Sequence, residues 1–320
     1  MKKKVLGIVF LIFVVLIAGC SNGADNENAN NGDDDSFSFV FLPNTQNNTF
    51  QIAMHETYQR LAEEHGYEYT MLDPDYDLNT QLNQISDAAN QGFDAAFVIP
   101  VDSAGIRQGL ENFSNMNVPV FNVDTAVIEA DRDLVESVIA TDAFMAGEFM
   151  GEQLMEDHPD GAKIAILDFP ENESTVQRVE GFMSSIESGG DTYEIIAQQD
   201  GKAALDASLP IAQDILQAHP DVDAFFAIND PSALGVVAAL ESNGMEEVDV
   251  YSIDASPDGK EALLDGSFTS VAAQVPIQIA EESFQMAIDY LEGEEAEDEV
   301  YLPSHIVTEE MAEETIDEWQ

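Results

Sequence analysis

Two kinds of segment alternate along this chain. Short continuous apolar runs have the pattern of strands buried on both faces of a parallel sheet. Between them lie longer stretches whose apolar residues recur at helical spacing. The first run, Ser36 to Leu42 (SFSFVFL), is closed by Pro43 and the polar loop Asn44–Asn48. Phe50 to His65 then predicts a helix, with Ile52, Ala53, Tyr58, Leu61 and Ala62 on its apolar side and Gly66 at its end. Strands are predicted over Tyr67–Leu72, Phe93–Ile99 and Val118–Asp124, with helices over Thr80–Asn90 and near 104–116. Further strands follow near 135–140, 163–167, 193–197, 224–228, 248–253, 269–273 and 301–307. The intervening helices fall near 143–157, 174–188, 207–218, 231–240, 257–265 and 277–292. Strands alternating with helices of this length predict parallel sheets with right-handed crossovers. There are too many strands for one comfortable sheet, so the fold class expected is α/β, with two doubly wound parallel-sheet domains.

The stretch from Val222 to Leu240 shows the logic of the whole. Ala224–Ile228 is a buried strand, Asn229 and Asp230 follow, and Pro231 opens a helix carrying Ala233, Leu234, Val237, Ala238 and Leu240 at its period. Ligands of open α/β sheets bind outside the carboxyl ends of the strands, which is where Asn229 and Asp230 fall. An ordinary helix cap has the same appearance, and both readings stay open here.

The N-terminus is different. Lys2, Lys3 and Lys4 precede an apolar run from Val5 to Ala18, too short for a comfortable membrane span and typical of a signal sequence. It ends in Leu16-Ile-Ala-Gly-Cys20, which resembles the bacterial lipobox, whose cysteine is lipidated after cleavage just before it. The expectation is a signal peptide over residues 1–20 and a lipid on Cys20. That places the protein outside the cytoplasm, anchored to the membrane. The alternative is an uncleaved anchor in which Cys20 is incidental. Residues 21–36, Asn-rich and acidic, read as a flexible tether. Cys20 is the only cysteine, so no intrachain disulfide is possible.

Charge narrows the partners. The chain has 10 Lys and Arg against 63 Asp and Glu, and the first twenty residues hold three of the former and none of the latter. The remainder therefore carries 7 − 63 = −56. Nucleic acid is excluded as a partner, because phosphate binding needs clustered Lys and Arg. Acidic surfaces of this kind suit high-salt or alkaline surroundings, where salt screens the self-repulsion.

The sequence carries no P-loop, GxSxG elbow or HExxH. The five histidines (His55, His65, His158, His219, His305) are scattered, without metal-ligand spacing, and read as surface residues. Asp73, Asp75 and Asp77 imitate the start of a calcium loop, but Leu78 stands where Gly is needed and Gln84 where Glu is needed. Neither metal nor cofactor is expected. With so many carboxylates, a pair of them is no argument for a glycosidase.

Polar chemistry at strand ends is what stands out. Asn48, Asp124, Asn229, Asp254 and Gln274 each follow a predicted buried strand or lie in its exit loop. Arg178 joins them just after another strand, although a surface salt bridge would explain it as well. Such a set suits a polyhydroxylated ligand. Each sugar hydroxyl both donates and accepts, so carboxylate and amide oxygens take its proton while amide and guanidinium groups donate to its oxygen. Phe50 could cover an apolar C–H face, or equally be the first core residue of its helix.

These residues sit in segments that together resemble the ribose-binding-protein group of solute-binding proteins, which deliver sugars to ABC importers. The matching segments are Asn47-Asn-Thr-Phe50, Val118-Pro-Val-Phe-Asn-Val-Asp124, Ile139-Ala-Thr-Asp142, Arg178-Val-Glu-Gly-Phe182, Ala218 to Asp230, Ile253-Asp-Ala-Ser-Pro-Asp-Gly259 and Ala273-Gln-Val-Pro276. The resemblance spans about 37 to 310. It implies a type I periplasmic binding protein, with two α/β domains joined by a three-crossing hinge and closing on a sugar. It places 37–141 plus 275–303 in the first domain and 142–274 plus 304–320 in the second. Asn48, Phe50 and Asp124 would come from the first domain and Arg178, Asn229 and Asp254 from the second, with Gln274 near a hinge. It further implies a monomer that docks on an ABC permease, works without a cofactor and is not an enzyme. A transcriptional repressor shares the fold, but it would need an N-terminal helix-turn-helix and a basic face. A receptor subunit passing a sugar or furanosyl signal to a membrane kinase or chemoreceptor remains the alternative. Three positions depart from the ribose-binding pattern: Thr125 replaces an Arg, Gln51 an aromatic, and Ala203 a second aromatic. A related pentose, hexose, cyclitol or furanosyl signal is therefore as consistent with the residues as ribose.

Overall fold

The computed structural model describes residues 36–319; the expected signal segment, the expected tether through Asp35, and Cys20 as the expected lipidation site lie outside the described residues. The apolar runs become strands of two separate sheets. The first sheet contains β1 (Ser38–Leu42), β2 (Glu68–Met71), β3 (Ala95–Val98), β4 (Val120–Val123), β5 (Ser137–Thr141) and β11 (Glu299–Leu302), in the order β2-β1-β3-β4-β5-β11. The second contains β6 (Ala162–Asp168), β7 (Tyr193–Asp200), β8 (Ala224–Ala227), β9 (Asp249–Asp254) and β10 (Ser270–Ala273), in the order β7-β6-β8-β9-β10. Every pairing within the sheets is parallel. Counting β6 as the first strand of its sheet, both halves repeat the order 2-1-3-4-5, with a switch point beside the first strand.

The first sheet is covered by α1 (Thr49–His65), α2 (Leu78–Gln91), α3 (Arg107–Asn115) and α9 (Pro276–Leu291). Around the second lie α4 (Ala143–Asp157), α5 (Glu173–Ser188), α6 (Leu205–Ala218), α7 (Asp230–Asn243), α8 (Pro257–Asp265) and α10 (Glu309–Glu314). Each sheet is thus buried on both faces, with one apolar cluster per face. That is why β3 and β8 read as unbroken apolar runs while the edge strands β2 and β11 alternate between half-buried and exposed.

The chain passes between the halves three times: between β5 and α4, between β10 and α9, and after β11. The crossings are tied together. Asp142 donates its N–H to the Leu302 carbonyl at 2.8 Å, and Val275 N–H reaches Thr141 Oγ1 at 3.4 Å. The strand expected at 301–307 is therefore short. It leaves the first sheet after Leu302, and Ile306 makes only an isolated antiparallel bridge to Ala272 of the second. Two other expectations shift. β7 runs on to Asp200 because an edge strand tolerates Gln198, Gln199 and Asp200, and a 3-10 turn at Glu129–Leu134 had no periodic signature.

All seven basic residues of the described chain are engaged. Arg60, Arg132, Lys163 and Lys202 pair with surface carboxylates and Arg107 with the buried Asp131, whereas Arg178 and Lys260 are themselves buried. The histidines are less superficial than expected. Only His65 is exposed; His55 is half-buried against Tyr69, and His158 bonds Asp249.

Candidate functional site

All seven residues singled out from strand ends line one cavity between the two halves. Asn48 is the N-cap of α1, its Oδ1 accepting from Phe50 N–H at 2.8 Å, which leaves its amide nitrogen for the cavity. Asn229 caps α7 in the same way through Ser232 N–H at 3.1 Å, and its Nδ2 donates to the Ala203 carbonyl at 3.1 Å. The cap reading of Asn229 holds, and the same residue lines the cavity. Asp230, its neighbour, is fully buried beneath the site and accepts from Ser252 Oγ, Ser256 N–H and Ser256 Oγ at 2.7–2.8 Å. It does not line the cavity.

Arg178 comes from the second turn of α5, and its place depends on glycine. A Cβ on Gly147 of α4 would sit 2.0 Å from the Arg178 carbonyl oxygen, and one on Gly181 2.0 Å from that of Phe144. The two helices touch backbone to backbone, which sets the guanidinium over the strand ends. Its Nη1 donates to the Ile228 carbonyl and lies 3.3 Å from Asp254 Oδ1. Gln274 Nε2 donates to the same Oδ1 at 2.8 Å. Within the cavity wall, Arg178 Nε and Gln51 Oε1 are buried and have no partner among the described residues. A donor and an acceptor left over in one cleft suit a ligand that offers both.

The space between the lining residues is about 440 Å³, open solvent at the mouth included. The two halves meet across it. Thr125 Oγ1, from the first, lies 3.0 Å from Asn172 Nδ2 and 3.3 Å from Ser174 Oγ of the second. Glu173 N–H donates to Ser103 Oγ at 3.2 Å beside them. This is a closed arrangement.

A periplasmic binding protein domain model matches residues 39–295. The chain belongs to the periplasmic binding protein family. Ribose import binding proteins are among its relatives: that of Bacillus subtilis is 26% identical over 309 residues, covering 96% of this chain and 99% of that protein. The Salmonella typhimurium protein is 30% identical over 254 residues, covering 79% and 84%. Among solved structures, a Caulobacter myo-inositol binding protein superposes with a TM-score of 0.82 at 23% identity, covering 87% of this chain and 95% of that one. The type I fold and the ribose-binding-like, sugar-binding character of this periplasmic binding protein are thereby established. It is a binding protein and not an enzyme. The family is extracytoplasmic, and no helix among the described residues is long and apolar enough to cross a membrane.

As a binding protein it has a strongly polarised site. Burial pushes the Asp124 carboxyl up to about 7; the Arg178 charge opposes this and the Asp254 charge adds to it. Asp254 is likewise raised by burial, against the pull of Arg178 and Gln274. Burial also lifts the Tyr76 hydroxyl to about 12, although 39% of the residue is exposed. Among the described residues no cluster of ligating side chains could hold a metal. The aspartates of the calcium-like loop instead serve the chain: Asp73 Oδ1 accepts from Asp75 N–H at 2.9 Å, and Asp77 Oδ1 caps α2 through Thr80 N–H at 2.6 Å.

Strain gathers around this cleft. Of the eight non-glycine residues with positive φ among the described residues, Tyr76, Asp124, Ala203 and Asp254 line the cavity, and Asp75, Lys202 and Ala255 adjoin them. Such conformations cost on the order of 1–3 kcal/mol each and persist only where surroundings enforce them.

The strand-end argument missed part of the wall: Asn44, Tyr76, Phe169, Asn172, Ser174 and Thr175 also line it. Gln51, Thr125 and Ala203, noted only as departures, line it too. Aromatic faces come from Tyr76 and Phe169, not from positions 51 and 203. Phe169 directly follows β6, so the same rule reaches it; Tyr76 sits in a loop whose left-handed backbone has no sequence signature.

Proposed function

We propose that the protein captures a monosaccharide or a polyol of similar size in this cleft, and hands it to an ABC permease. The convergence that carries the reading is Arg178 facing Asp124 and Asp254, ringed by the amides of Asn48, Asn229 and Gln274. Hydroxyls of the ligand would donate to the carboxylates and accept from the guanidinium and amides, with Phe50 against a C–H face. The two halves would part about the three crossings to admit the ligand and close over it through Thr125, Asn172 and Ser174. The named activity of the ribose import relatives supports delivery to an importer. The Leu16–Cys20 motif supports a lipid anchor, and a single self-contained cleft fits a monomer. The three departures from the ribose-binding pattern widen the candidates to hexoses, cyclitols and furanosyl sugars.

Thermal unfolding of the mature protein in high-salt buffer tests this, against monosaccharides, cyclitols and furanosyl sugars. One compound is expected to raise the midpoint in proportion to the logarithm of its concentration. A flat response across the whole panel would remove the sugar reading.

A further inference from the structure

The C-terminal tail carries the only tryptophan, Trp319. α10 packs on α8 in the second domain, and the chain then turns back, with Glu318 N–H donating to the Thr315 carbonyl at 3.0 Å. Lys260, on α8, holds this turn. It is fully buried, and its Nζ donates to the carbonyl oxygens of Thr315 at 2.9 Å and Glu318 at 2.7 Å. A buried ammonium is costly unless hydrogen-bonded, so the tail is the partner that makes Lys260 tolerable there.

From that anchor Trp319 reaches the other half of the molecule. Its ring meets Phe50 edge to face, with centroids 5.5 Å apart and planes at 88°. Phe50 opens α1 of the first domain, is 3% exposed and lines the cavity, whereas Trp319 does not line it. No other ring among the described residues pairs with Phe50. The tail therefore joins a buried lysine of one domain to a cavity side chain of the other, without touching the cleft itself.

We propose that Trp319, held by Lys260, is a positioning residue that sets the ring of Phe50 against the bound sugar when the domains close. The inference rests on reading the cavity as a sugar site. Because the contact crosses between domains, opening must alter it, and the single tryptophan then reports the state of the cleft. The chemistry is modest and specific: removing one edge-to-face partner should misplace Phe50 while the pocket's polar groups stay where they are.

The test titrates the mature protein and its Trp319→Ala and Trp319→Phe variants by calorimetry with D-ribose, D-allose, D-fucose and myo-inositol, and follows tryptophan emission of the parent. For the compound that binds, Trp319→Ala should weaken affinity about two- to tenfold, the size of an aromatic pair. Trp319→Phe should restore most of it, and the unliganded unfolding midpoint should stay near the parent's. In a Phe50→Leu background the Trp319→Ala loss should largely vanish. Parent emission should change on saturation. Equal affinity of parent and Trp319→Ala overturns the inference, as does an equal loss in the Ala and Phe variants. A parent that binds none of the four is titrated with the compound that the wider monosaccharide, cyclitol and furanosyl panel selects; a parent that binds no compound of that whole panel overturns the sugar reading, and this inference with it.

Discussion

Nη1 of Arg178 lies 3.3 Å from Oδ1 of Asp254, a buried ion pair assembled from the second turn of α5 and the last residue of β9. Asp124 faces the same guanidinium from the other domain, so one cation serves two carboxylates. Burial pushes Asp124 up to about 7, and the Arg178 charge, shared with Asp254, only partly opposes it. The imbalance leaves the site ready for hydroxyl donors.

The same burial makes stability depend on pH with a definite sign. Asp124 and Asp230 are each pushed up to about 7, and Asp254 is also raised. An unfolded Asp titrates near about 3.9, so between roughly pH 4 and 7 the folded chain holds protons that the unfolded chain releases. The cost is absent below that window and complete above it; stability falls as pH rises through it. The denaturant midpoint of the ligand-free protein, at constant high salt, should be higher near pH 5 than near pH 8. Asp230→Asn should flatten this dependence even as it lowers overall stability. A midpoint that climbs between those two pH values would contradict the assignment.

Gly147→Ala forces a Cβ to within 2.0 Å of the Arg178 carbonyl oxygen and 2.9 Å of Phe182 N. α4 must then move from α5, a form of overpacking that costs about 1–3 kcal/mol or more. Lower thermal stability and weaker sugar binding are expected together, because α5 carries Arg178. Parent-like values for both would show that the helices separate without moving the guanidinium.

Thr125 stands where ribose binders carry an arginine, and its hydroxyl lies 3.0 Å from Asn172 Nδ2 across the cleft. Thr125→Val keeps the shape and removes the bond. A neutral hydrogen bond is worth about 0.5–1.5 kcal/mol, so affinity should fall about two- to tenfold. The bond exists only when the domains meet, so the loss should appear in the dissociation rate measured by stopped flow. An unchanged dissociation rate would remove Thr125 from the closure.

Much of this was legible in the residues. Continuous apolar runs such as Ala224–Ile228 marked double-sided burial, and the C-terminal ends of those runs located Asn48, Asp124, Arg178, Asn229, Asp254 and Gln274 in one cleft. What stayed hidden lacks a local pattern. Tyr76 enters the cavity because two successive residues, Asp75 and Tyr76, take left-handed backbone at φ 51 and 58°. Nothing in an Asp-rich loop announces that. Trp319 meets Phe50 from the far end of the chain, a contact that only the three crossings bring about. That Asn229 both caps α7 and lines the cavity was undecidable from sequence, because a capping residue and a cleft residue look alike at a strand end.

The most direct measurement is a calorimetric titration of the parent and Arg178→Ala with the sugar identified by the thermal panel. Arg178 is buried, central to the cavity wall and joined to Asp254, so it should supply charge-assisted hydrogen bonds worth about 1.5–3 kcal/mol. The account predicts a fold-retaining variant, checked by circular dichroism, whose affinity is about ten- to a hundredfold weaker. A variant that binds as tightly as the parent would place the sugar elsewhere and overturn the assignment of this cleft.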